Sequence, residues 1–254
     1  VWQQLGSPRT FALVELGPGR GTLMMDVLRV LSKAPACAKA AEVHLVETSP
    51  VLRSAQLERV PEATWHSSVA SLPGLPTILL ANEFFDALPI RQYERKDSRV
   101  FERVVNADLS IGLVPSPMRW PFAADGVFED ASLRDAIALQ LGDHLVKQSG
   151  AALIIDYGHL RSALGDTLQA MKAHKFCKIT ENIGTADLTS HVDFEQLARG
   201  FATGGAKIAG VLSQSEFLMR MGLEQRTTVL ARTLQGEAQA SLHAASTRLA
   251  SPTQ

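Results

Sequence analysis

The chain has 254 residues, 46% of them hydrophobic and 20% charged, the composition of a folded globular protein long enough for one large domain or a domain with an insertion. With 25 Lys and Arg against 26 Asp and Glu, the formal net charge is -1, so the basic footprint of a nucleic-acid binder is missing. No apolar run approaches the roughly 18 residues of a membrane-spanning helix, and two cysteines, Cys37 and Cys177, are too few for a disulfide framework.

Val1 is not an initiator methionine, and "VWQQLGSP" reads as the tail of an earlier helix. "TFALVEL" (Thr10–Leu16) is a short apolar run that stops at glycines, the pattern of a central parallel strand. A helix follows from about Gly21, with Leu23, Met24, Val27, Leu28 and Leu31 on one face. "EVHLVE" is a second strand, and Ser49 and Pro50 stand where a cap and a first helical residue open "SPVLRSAQLERV". "TWHSS" gives a weak third strand and "PTILLANEFFDALP" a fourth. "SLRDAIALQLGDHLVKQSG" predicts a helix with a Ser132–Asp135 capping box, an apolar stripe of Leu133, Ile137, Leu141 and Leu145, and a stop at Gly150. "AALIIDYG" is a fifth strand and "AKIAGVLSQ" a candidate sixth. Strands alternating with helices predict an α/β fold, a mostly parallel sheet with helices on both faces. Between Arg91 and Phe128 the alternation breaks into "RVFERVV" and "LSIGLVPSPMRWPF" with turn residues between, an inserted antiparallel ribbon that is either a lid at the ligand crevice or surface decoration.

Three glycines, Gly17, Gly19 and Gly21, follow the first strand within five positions, with Pro18 between the first two. Gly17 and Gly19 let the backbone turn sharply and come close to a ligand, and the helix after Gly21 offers free N–H groups. The dinucleotide fingerprint needs glycine at position 22, where this chain has Thr22, and no Gly-Lys pair makes a phosphate loop. The pattern E-x-G-x-G-x-G from Glu15 to Gly21 suits a small sulfonium nucleoside rather than a pyrophosphate. Glu47 falls at the carboxyl end of the second strand, where an acid accepts hydrogen bonds from ribose hydroxyls or starts the next helix.

"VELGPGRGTLMMDVLR", "VETSPVLRSAQ", "ANEFFDALPIRQ", "LIIDYG", "GDTLQA" and "ADLTSHVDF" occur in this order. Together they resemble the MidA-like family of S-adenosylmethionine-dependent methyltransferases, from about residue 10 to residue 223. The resemblance implies a Rossmann-like class I methyltransferase fold forming a single domain over residues 1–254, with the inserted ribbon at about 91–128. It also implies a preceding helical segment and a closing strand after a stretch like Ser251–Thr253, neither of which this chain includes. It implies S-adenosyl-L-methionine as cofactor, held by Gly17, Pro18, Gly19 and Gly21 with Glu47 on the ribose, and a protein acceptor. The family's mitochondrial member methylates arginine in a subunit of respiratory complex I; the expected compartment is the mitochondrial matrix in a eukaryote and the cytoplasm in a bacterium.

An arginine acceptor arrives as a cation, and carboxylates that grip the fork leave one nitrogen to attack. Glu83 and Asp86 in "ANEFFDALP", with Asp156 at the end of the fifth strand, are the candidate acids, and Asn82 is a candidate cofactor or acceptor ligand. Asp86 serves in this way or as a turn carboxylate. His191 is a candidate proton acceptor with Asp193 two residues on, although Asp193 and Gln196 also suit a helix cap. The histidines form no zinc-spaced cluster, so no metal is expected. The alternatives are an idle assembly or scaffolding factor that keeps the pocket, and a nicotinamide-dependent oxidoreductase.

Overall fold

A computed structural model describes residues 1–251. The stretch Ser251–Thr253, after which the resemblance implies a closing strand, lies largely outside the described residues. The chain divides into two compact units, Val1–Lys207 and Ile208–Gln254.

The first unit opens with β1 (Phe11–Leu16), α1 (Thr22–Leu31), α2 (Pro35–Ala40), β2 (Ala41–Val46), α3 (Pro50–Arg59), β3 (Thr64–His66) and β4 (Thr77–Asn82). An antiparallel sheet follows, built of β5 (Arg91–Lys96), β6 (Arg99–Val105), β7 (Ile111–Pro115) and β8 (Gly126–Asp130) in the order β7-β6-β5-β8. Helix α4 (Ser132–Gln148) leads back to the first sheet through β9 (Gly150–Ile155). Short strands β10 (Gly158–His159), β11 (Gln169–Lys172), β12 (Lys175–Cys177), β13 (Asp187–Thr189) and β14 (Val192–Asp193) precede α5 (Phe194–Thr203).

The central sheet is all parallel, in the order β3-β2-β1-β4-β9. Every residue of β1 is buried, and its side chains alternate between two cores. Ala12, Val14 and Leu16 join the core that includes residues of α4 and α5, while Phe11 and Leu13 pack with Met24, Leu45 and Val60 on the other face. Full burial of a side chain such as Phe11 or Leu16 contributes about 1.5–3 kcal/mol. Strand order reverses between β1 and β4, whose ends lie side by side with Leu16 opposite Ala81. Ligand crevices open at that reversal.

Four expectations are corrected. Helix α4 buries Arg134, Ala138, Leu141, Gly142 and Leu145, while Leu133 is exposed. The cause is close helix packing: a Cβ on Gly142 would lie 2.4 Å from the Phe201 carbonyl, and one on Gly204 2.2 Å from that of Leu139. Small residues let the two backbones close up, while Ile137, Leu141 and Leu145 of the expected stripe do pack into the core with Leu197 and Phe201 of α5. The helix start uses Asp130, which accepts from the Ser132 N–H, because Asp135 is engaged by the Gln196 side chain. Ser149 at φ 59° ends the helix one residue before Gly150. The expected sixth strand does not form; Ser213 and Glu216 make a reciprocal capping box there instead, and Ile208, Val211 and Leu212 stay exposed. Sequence periodicity also missed the three-stranded antiparallel sheet β12-β11-β13, whose strands are too short to show alternation.

The second unit holds α6 (Gln214–Arg220), α7 (Leu223–Ala231) and α8 (Gly236–Leu249), with the Thr227 hydroxyl bonded to that of Ser246 at 2.9 Å. Among the described residues no helix is long and apolar enough to cross a membrane.

Gly142→Ala should push α5 off α4 and cost about 1–3 kcal/mol. Urea unfolding monitored by circular dichroism checks this, and an unchanged midpoint would contradict the packing described.

Candidate active site

The turn after β1 runs in the left-handed region at all three glycines, with φ of 57° at Gly17, 52° at Gly19 and 79° at Gly21. The Gly17 N–H donates to the Val46 carbonyl at 3.0 Å, which binds the turn to the end of β2. A Cβ at Gly17 would strike the Phe84 ring at 2.9 Å, whereas the space beside Gly19 is open for 4 Å. Gly21 caps α1 without a side chain of its own. Glu15 reaches that helix start from below: it is 2% exposed and takes the Met24 N–H, and its Oε2 has no hydrogen-bond partner among the described residues. Burial pushes its carboxyl up to about 7, against the pull of that N–H.

Glu47, at the end of β2, is 8% exposed and lines a cleft of about 770 Å³ together with Gly17, Ser67, Ser68, Phe84 and Leu88. Its Oε1 accepts the N–H groups of Thr48 and Ser49, both at 2.8 Å, and its Oε2 accepts the Gln56 amide at 3.2 Å. That same amide nitrogen donates to the Gly19 carbonyl at 2.7 Å, while the Gln56 oxygen accepts the Trp65 indole N–H at 2.8 Å. Gln56 is fully buried, and it ties the glycine turn, the acid and β3 into one unit. Ser49 caps α3 as expected and so aims Gln56 inward. Arg53, from the same helix, donates to the Glu47 carbonyl at 2.8 Å and to the Ser67 hydroxyl at 2.9 Å.

The second rim of the cleft is the turn after β4. Asn82 and Glu83 are exposed there, and Glu83 holds φ 49°, a strained position of the kind found at functional sites. Its N–H donates to the Ile155 carbonyl at 2.8 Å. Phe85 enters the core, whereas Asp86 is 3% exposed with Oδ1 unpartnered among the described residues. Glu83 and Asp86 are therefore not presented as a pair: one carboxylate stands in solvent and the other is buried. Asp86 is brought instead to Asp156, whose Oδ2 accepts the Phe85 and Asp86 N–H groups at 3.0 and 3.3 Å and whose Oδ1 accepts that of Tyr157 at 3.0 Å. Burial, and then the neighbouring Asp86, raise the Asp156 carboxyl to about 6. Partial burial, and then its bond to Asp86, push the Tyr157 hydroxyl up to about 12.

His191 lies exposed, its ring edge-on to Tyr157 with centroids 5.8 Å apart. Asp193 does not partner it. The carboxylate of Asp193 caps α5 by accepting the Gln196 N–H at 2.9 Å, and its nearer histidine is His159, at 3.8 Å. Among the described residues no group of three His, Cys, Asp or Glu could hold a metal ion. Sequence reasoning passed over Gln56 and Arg134. The legible signal for Arg134 was a charge at the spacing of buried residues of α4. For Gln56 it was a place two turns into a helix whose cap fixes its direction.

A buried acid with a raised pKa is protonated more readily folded than unfolded, so Glu15 favours folding below pH of about 4.5 and loses that advantage as pH rises through about 7. The change amounts to on the order of 3 kcal/mol. Glu15→Gln should remove it, so that the variant gains stability relative to the parent between pH 4.5 and 8. Parallel urea titrations at the two pH values check this, and equal differences at both would contradict it.

A family model described as "Putative S-adenosyl-L-methionine-dependent methyltransferase" matches residues 1–212. The Xenopus tropicalis mitochondrial protein arginine methyltransferase NDUFAF7 is 33% identical over 270 residues, covering 90% of this chain and 62% of that protein. Its Drosophila melanogaster homologue is 33% identical over 267 residues, covering 89% and 60%. The chain thus spans about three fifths of the length of these curated relatives. Among solved structures, a Burkholderia thailandensis protein bound to S-adenosyl-homocysteine superposes with a TM-score of 0.78 at 22% identity, covering all of this chain and 71% of that one; this likeness concerns the fold. The parallel sheet, the glycine turn at its reversal and a model match over most of the length agree: the chain belongs to this family of S-adenosyl-L-methionine-dependent methyltransferases.

Proposed function

We propose that this chain moves a methyl group from S-adenosyl-L-methionine to a guanidinium nitrogen of an arginine in a protein. The observation that carries the reading is Glu47, a buried acid bordering the cleft beside the open glycine turn at the reversal of strand order. The residues fit such a nucleoside, because Gly19 has free space where a Cβ would stand. When bound, the cofactor supplies a methyl group on a sulfonium that needs no further activation.

In this reading the turn Gly17–Pro18–Gly19 and Gly21 accommodate the methionine part, Glu47 receives the ribose hydroxyls, and Asn82 borders the reacting end. Position does most of the work, since alignment and removal of water together are worth about 7–11 kcal/mol. Glu83 meets the acceptor from solvent, and Asp86 offers its unpartnered oxygen to a guanidinium N–H. Arginine stays protonated to above about pH 12, so such acids bind and orient the cation and leave one nitrogen toward the methyl group. Asp156 fixes the turn that carries Asp86, and the exposed ring of His191 takes the released proton. Support for arginine comes from the relatives' names. We extend the proposal to a respiratory complex I subunit as acceptor, in the mitochondrial matrix for a eukaryotic source and the cytoplasm for a bacterial one. The family match removes the nicotinamide reading.

Glu47→Ala should weaken S-adenosyl-homocysteine binding by about tenfold to a hundredfold, the loss of charged hydrogen bonds. Titration calorimetry measures this, and unchanged affinity would sink the assignment. Radiolabelled S-adenosyl-L-methionine should mark a protein in an extract holding complex I, with dimethyl- or monomethylarginine on digestion; donor binding without transfer would favour the idle scaffold. Activity should rise with pH through about 6 as Asp156 ionises. Asp156→Asn should abolish that limb of the profile, and a limb retained by the variant would contradict the role given to this acid.

A further inference from the structure

The buried face of α4 carries one charge. Arg134 is 3% exposed, and its guanidinium ends where the segment of residues 82–89, after β4, meets the segment of residues 188–193, which joins β13 to β14. Nη1 donates to the His191 carbonyl at 2.7 Å. Nη2 faces the carbonyls of Asp86, Leu88 and Ser190 at 3.2, 3.4 and 3.4 Å, and the Ser190 hydroxyl more closely still. The segments also touch directly, through the Ser190 N–H and the Asp86 carbonyl at 3.0 Å. All of these acceptors are neutral oxygens, and Nε has no hydrogen-bond partner among the described residues.

For stability alone this is a poor arrangement. A buried cation without a contacting carboxylate is expensive, and an apolar side chain of similar volume often serves as well or better. Burial disfavours the charged guanidinium, and it is held by the more distant charges of Asp156, Glu129 and Asp86. What an apolar residue cannot supply is a planar fork whose donors point in fixed directions at two separate segments.

We propose that Arg134 is the positioning residue of the acceptor site, its single fork fixing the 82–89 segment, which carries Glu83 and Asp86, against the 188–193 segment, which carries His191. The inference rests on the reading of this rim as the acceptor side. Two consequences separate the parts of the role. Lysine keeps the charge but cannot span both segments, so Arg134→Lys loosens the acceptor site without altering its charge. Methionine removes both, and loss of the positive charge moves the ionisation of Asp156 to higher pH.

The test uses the full chain saturated with S-adenosyl-homocysteine and the peptide Gly-Gly-Arg-Gly-Gly as acceptor probe. Arg134→Met should keep S-adenosyl-homocysteine affinity within about twofold, weaken the peptide by about tenfold, and move the acid limb of its binding upward by about one pH unit. Arg134→Lys should weaken the peptide by a smaller factor and leave the limb in place. Peptide affinity and pH profile equal to the parent in Arg134→Met would overturn the proposal. A parent protein that ignores the peptide refutes the arginine reading instead. In that case hydrogen exchange decides the role of Arg134: segments 82–89 and 188–193 should both exchange at least about tenfold faster in Arg134→Met while 50–59 stays unchanged, and parental rates in the two segments would overturn it. Should Arg134→Met fail to fold, Ser190→Ala removes the closest acceptor. With the charge kept, it should weaken the peptide and speed exchange in both segments by about threefold while leaving the acid limb in place, and parental affinity and exchange there would equally refute the role.

Discussion

A buried carboxylate must find donors, and the way Glu47 finds them fixes the geometry of the cleft. Two of its three N–H donors come from the backbone that follows it and the third from Gln56, about two turns from the cap of α3. Gln56 spends its second N–H on the Gly19 carbonyl and its oxygen on Trp65. The glycine turn, the acid and the third strand therefore cannot move independently. A slip of α3 would orphan Glu47, and a different path of the turn would orphan Gln56, each at about 1–3 kcal/mol. The cleft is built in advance of its ligand.

The two rims of the cleft are made by different physics. The glycine turn and Glu47 form a satisfied polar network in which every donor and acceptor named has a partner. The rim after β4 is the opposite: Glu83 holds a left-handed backbone, Asp86 keeps an unpartnered oxygen, and Asp156 is raised to about 6. Strain and unmet polar groups are tolerated where a substrate completes them. On the proposed reading, a rigid side for the nucleoside and an unsatisfied side for a cation suit a reaction in which alignment supplies most of the rate.

Much of this was legible in the residues. The apolar run of β1, its stop at Gly17, the Ser49 cap and the antiparallel insertion follow from local periodicity and turn chemistry, and local rules hold where one element sets its own geometry. The sheets made of strands two to four residues long were not, because so few positions carry no period. The stripe of α4 held at Ile137, Leu141 and Leu145 but not at Leu133, and the close backbone approach permitted by Gly142 and Gly204 carries no period that a sequence pattern shows. That Glu83 stays in solvent while Asp86 is buried was not legible from their place just past the fourth strand, because the backbone turns at Glu83. Local pattern could mark Gln56 and Arg134 as inward-facing, but not their partners at Gly19 and His191, which lie 37 and 57 residues away in the chain.

The account is tested most directly by a crystal structure of the chain with S-adenosyl-homocysteine. It predicts the nucleoside between the Gly17–Gly21 turn and Glu47, with the ribose hydroxyls donating to that carboxylate and the Gln56 contacts intact. A nucleoside bound elsewhere, or a Glu47 side chain rotated out of the cleft, would contradict it.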